Sequence, residues 1–79
     1  MTYTDAMARA FHSITAPKGF GVQLEDNEHF LVIRASEKAF FSLTDEGKRS
    51  AVEYMVRVKK ALEDNGAIVM IVREGGVEQ

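Results

Sequence analysis

Seventy-nine residues, 46% of them apolar, with a formal net charge of −2, suit one small folded core and argue against a disordered or strongly basic chain. Cysteine is absent, which excludes disulfides and thiolate-held zinc or iron–sulfur clusters, and the carboxylates do not follow a calcium-loop spacing. A core this small is marginally stable, so with neither disulfide nor metal, association with a second subunit is the remaining way to brace it.

The opening stretch MTYTDAMARAFHSI has no basic leader and no continuous apolar run, so it does not read as a secretory signal. Its spacing predicts a short helix from Thr2 to near Thr15. At about 100° per residue, Tyr3, Met7, Ala10, Phe11 and Ile14 share one side, with Asp5, Arg9 and His12 opposite. Thr2 is the expected N-cap, and Asp5 suits the positive end of the helix dipole. Pro17 disfavours helical geometry at Ala16, and Gly19 and Gly21 follow it.

Phe20, Val22 and Leu24 then alternate with Gly21, Gln23 and Glu25, as in a half-buried strand. Asp26 and Asn27 suit a turn, and His29 to Arg34 would complete a hairpin. SEKAFFSL supports two readings: a third strand over Ala39 to Leu43, or a short helical turn. In a strand Phe40 and Phe41 would point opposite ways, which takes one ring off the core face.

Thr44 to Asn65 is the longest element. Ala51, Met55, Val58 and Leu62 form its apolar stripe, widened by Tyr54 and Ala61. Thr44 is the expected N-cap and Gly66 a left-handed stop; Gly47 weakens the first turn by about 1 kcal/mol relative to alanine. Ala67 to Val72 is apolar at nearly every position, which fits a strand covered on both faces or placed centrally in a sheet. Its run AIVMIV is too short to cross a bilayer. The last residues, REGGVEQ (73–79), read as a flexible tail.

The order α-β-β-(β)-α-β predicts one α+β domain over residues 1–79. It would be a two-layer sandwich, with two helices on one face of a three- or four-stranded mixed or antiparallel sheet. A soluble, cytoplasmic protein that uses no membrane is expected from the missing leader, span and cysteines. No cofactor is implied: PKGFG matches neither phosphate-loop pattern.

Function is carried by surfaces. KRSAVEYMVRVKK (48–60) has five positive side chains against one negative. On the helical wheel they spread around the exposed arc. Glu53 lies one turn from Arg49 and Arg57, and Lys59–Glu63 and Lys60–Asp64 are further i,i+4 pairs. A solvated face is the favoured reading. The alternative is a nucleic-acid-binding module that presents Arg49, Arg57, Lys59 and Lys60 to phosphates. In element order alone the chain resembles double-stranded-RNA-binding modules, but their basic loop is missing and a final strand is added. The acidic net charge also disfavours nucleic acid.

Val52 and Val56 sit about 100° and 140° off the core stripe, with Lys59 and Glu63 beside them, and form a small apolar ridge on a charged helix. With the doubly apolar last strand this ridge favours docking to a second copy or another protein, and Phe41 is assigned to the same interface as Val52, Val56, Lys59 and Glu63. The expected function is a protein-binding regulatory, accessory or inhibitor domain, acting as a homodimer. A small enzyme subunit ranks third, and no catalytic or metal-ligating residues are assigned. His12 is about 10 Å of helix from Asp5, and Glu25 and Glu28 flank an exposed turn with no apolar pocket to raise a pKa.

Overall fold

The computed structural model describes residues 3–74. Their elements run α1 (Asp5–His12), β1 (Val22–Asp26), β2 (Leu31–Ser36), α2 (Glu37–Phe41), α3 (Asp45–Asp64) and β3 (Val69–Glu74). The sheet order is β1-β2-β3, with β1 antiparallel and β3 parallel to β2. This is the expected small α+β domain with a mixed sheet.

Caps set the helix ends. Thr4, not Thr2, caps α1, its hydroxyl accepting from the Met7 N–H at 3.2 Å. Asp5 therefore occupies the first helical position. The helix also stops earlier than expected: the Ser13 hydroxyl donates to the Ala10 carbonyl at 2.8 Å, and the Ile14 N–H takes the Phe11 carbonyl only three residues back, which closes the last turn. Thr44 caps α3 as expected and accepts from the Gly47 N–H at 3.0 Å. At the far end Gly66 has φ +97°, and the N–H groups of Gly66 and Ala67 reach the Glu63 and Leu62 carbonyls. This left-handed closure satisfies two carbonyls and turns the chain directly into β3.

Residues 37–41 resolve the ambiguous segment as a helix. Ser36 ends β2 and its hydroxyl accepts from the Ala39 N–H at 3.1 Å, so the same residue starts α2. No strand forms over 39–43, and the likeness in element order to double-stranded-RNA-binding modules ends there. Phe20 also lies outside its expected strand. Its N–H bonds the Pro17 carbonyl in a turn that includes left-handed Gly19, and its ring goes into the core.

Leu31, Ile33 and Ala35 of β2 are buried under Ala51, Tyr54, Val58 and Leu62 of α3, and Met7, Phe20 and Val69 complete this core. α1 packs beside α3. In the opposite phase lie Val32 and Arg34 of β2, Gln23 and Glu25 of β1, and Met70, Val72 and Glu74 of β3. Arg34 ties this back face together, bonding Glu25 at 2.7 Å and Glu74 at 3.0 Å.

The last strand corrects two expectations. It is an edge strand, not a central one, since a parallel return through α3 brings it alongside β2 only, and both of its faces are partly open. It also runs further than expected: Arg73 and Glu74 pair with Ala35 and Ser36 of β2 and belong to the sheet. Residues 75–79 of the expected tail lie outside the described residues.

A candidate protein-interaction surface

The two flanks of α3 differ. On one, Ser50, Glu53, Tyr54 and Arg57 face the segment Thr15–Lys18 that leaves α1, across an open, polar concavity of about 550 Å³. Toward the other flank are Val52 and Met55. They share a concavity of about 170 Å³ with Phe20, Phe40, Phe41 and Arg73, a mainly apolar notch between α2, α3 and the end of β3.

The sequence of α3 produces this difference. Positions 51, 54, 58 and 62 point into the core, so 52 and 56 rotate toward the flank that α1 leaves uncovered. Val52 is 47% exposed and Val56 58%. Phe41, 62% exposed, projects from the short α2, its ring edge-on to Phe40 and beneath the Lys48 ammonium, 5.7 Å from the ring centre. Lys59 and Glu63 pair at 2.6 Å next to the ridge. All five residues expected at the interface are thus on or next to one side of the molecule, with Phe41 and Val52 meeting at the notch.

Three further large apolar residues are exposed along the last strand and its approach. Ile68, Met70 and Ile71 are 66%, 49% and 40% exposed. Ile71 shares the helix-side phase of β3 but overhangs at the sheet edge, while Met70 lies on the back face. The unbroken apolar run signalled that some of these would stay uncovered. Which ones do depends on the strand order, and that is not written in the run.

The basic residues are not gathered in the same way. Lys59 is held by Glu63, and Lys60 stands 4.0 Å from Asp64. Among the described residues Arg49 and Arg57 make no ion pair, so the expected bonds to Glu53 do not form. Arg57 turns toward the polar concavity, away from Lys59. No single track for phosphates results.

His12 is exposed, with its ring 5.2 Å from that of Phe11, and it makes no ion pair among the described residues. Glu25 is taken by Arg34, and Glu28 faces His29 at 4.0 Å, so the two hairpin carboxylates do not act as a pair. The described residues contain no group of three or more potential metal ligands. The hydrogen bond and charge of Glu25, helped by Glu74, hold Arg34 above its usual range, and burial pushes the Tyr54 phenol up.

No protein-family model, curated protein or solved structure matches this chain.

Proposed function

We propose that this protein is a small protein-binding domain with a regulatory, accessory or inhibitory role, working as a homodimer through the α3–β3 flank. One observation carries the reading: Phe41, Val52 and Val56 are exposed on the flank of α3 away from α1, and Ile71 is exposed on the helix-side phase of the edge strand β3. Exposed apolar side chains beside the Lys59–Glu63 pair have the makeup of an interface core with a polar edge. The rival flank of α3 is polar and already faces the chain's own loop.

Solution mass by light scattering at two concentrations tests this. A dimer is expected, and Val56→Glu should convert it to monomer with helical content unchanged, since Val56 contributes nothing to the intrachain core. A monomer at every concentration, or a dimer indifferent to Val56→Glu, would remove the ridge as the contact.

A further inference from the structure

We propose that the dimer forms by antiparallel pairing of β3 with β3 of a second copy, about a two-fold axis at Ile71, giving one continuous six-stranded sheet. This rests on the self-association proposed above and specifies how it occurs. The bond from the Leu31 N–H to the Ile68 carbonyl fixes the phase of the β2–β3 ladder. Alternate residues of a strand direct their backbone groups to opposite sides, so Met70 and Val72 face β2, while Val69, Ile71 and Arg73 present theirs at the edge. Among the described residues no strand pairs there. An apolar edge without proline or bulge is an open template for another strand, and the one helix-side charge of β3, Arg73, is drawn 3.5 Å from Glu37 of its own chain. The other edge strand, β1, carries Gln23, Glu25 and Asp26, and the Tyr3 N–H bonds Asp26 at its end.

Charge and register favour a second copy as the occupant. With Ile71 opposite Ile71, Val69 faces Arg73 and Met70 faces Val72 of the second copy, so no like charges meet. Each of the pairs 71–71 and 69–73 exchanges both N–H···O bonds.

The same axis serves α3. Arg73 shares the notch with Val52 and Met55, and α3 runs back against the direction of β3. Two residues along β3 cover about 6.6 Å and four residues of helix about 6 Å, so, counted from Val52, the notch residue on the exposed flank, Ile71 comes level with Val56. A two-fold at that level puts Val56 against Val56 of the second copy. It also puts Arg49, unpaired among the described residues, against Glu63 of the second copy, because the two lie equally far from Val56 on the same face. The flank is therefore complementary to itself in charge as well as in apolar content.

Three measurements on the full chain test the geometry. In concentrated solution the outward amides of Val69, Ile71 and Arg73 should exchange about tenfold or more slowly than in dilute solution, with Met70 and Val72 protected in both. The chain has no cysteine of its own, so Ile71→Cys should form an intermolecular disulfide. The facing Cα atoms would be about 5.5 Å apart, within the span a disulfide bridges. Val69→Cys should not link, because its copies would lie about 14 Å apart. Arg49→Glu and Glu63→Arg should each weaken the dimer, by about three- to tenfold, and the double exchange should restore it. A dimer whose outward amides exchange freely, or one that links through Val69→Cys and not Ile71→Cys, would overturn this pairing while leaving self-association intact. Failure of the double exchange to restore affinity would overturn the stated α3 alignment, and a monomer throughout would overturn both proposals.

Discussion

Tyr54 illustrates how one side chain links core and surface. Its ring meets Phe20 edge-on at 6.5 Å and is buried, while its residue also lines the polar concavity on the α1 side of α3. Burial disfavours the phenolate, so the folded-state pKa lies above the ordinary value of about 10. Between the two values the folded protein holds a proton that the unfolded chain has lost. The stability from neutral Tyr54 is therefore complete below about pH 10 and is lost as the pH rises through the raised folded-state value. Tyr54→Phe should flatten that alkaline decline and leave the neutral-pH arm in place, as read from denaturant midpoints along a pH series. Tyr54 was legible in the sequence as a core-widening position. Its shift was not, because burial depends on Phe20 leaving its expected strand.

At the scale of elements, the caps decide where each segment begins and what it can join. Gly66 matters most, since it stops α3 and aims β3 at the sheet. A Cβ there would meet nothing within 4 Å, so the cost of Gly66→Ala is conformational and not steric. At φ +97° an L-residue is strained by about 1–2 kcal/mol. The denaturant midpoint should fall accordingly with an unchanged slope, which would report lost stability and not a changed denatured state. Gly66 could be read from sequence because it follows a clear 3.6-residue pattern. Residues 37–41 could not: Ser36 serves both as the last strand residue and as an N-cap, and only backbone geometry shows that the second role begins a helix. The same limit applied to β3, whose apolar run is equally consistent with a central strand and an under-covered edge.

For the whole molecule, the consequence is a domain whose own core is small and whose open edge offers more. If dimerisation completes the sheet, thermal stability becomes a function of concentration, since only the folded state associates. A tenfold rise in protein concentration should add about 0.7 kcal/mol per protomer, or about 3–6 °C in Tm for a domain of this size. The Val56→Glu chain should show a Tm independent of concentration. Heating curves at several concentrations separate the two cases, and an invariant Tm in the unmodified chain would mean that association contributes nothing to stability.

By itself the sequence determined the class of fold, the long helix with both of its ends, the hairpin, and the valine ridge beside Lys59 and Glu63. These are local matters, set by periodicity, capping and turn residues within a few positions of one another. Only the tertiary structure decided that β3 lies at the edge, that Phe20 enters the core from a loop, that Arg34 bridges all three strands, and that Phe41 meets Val52 at a notch. Strand order and flank coverage arise from contacts between distant segments, and an apolar side chain looks the same in sequence whether its neighbour is a core or water.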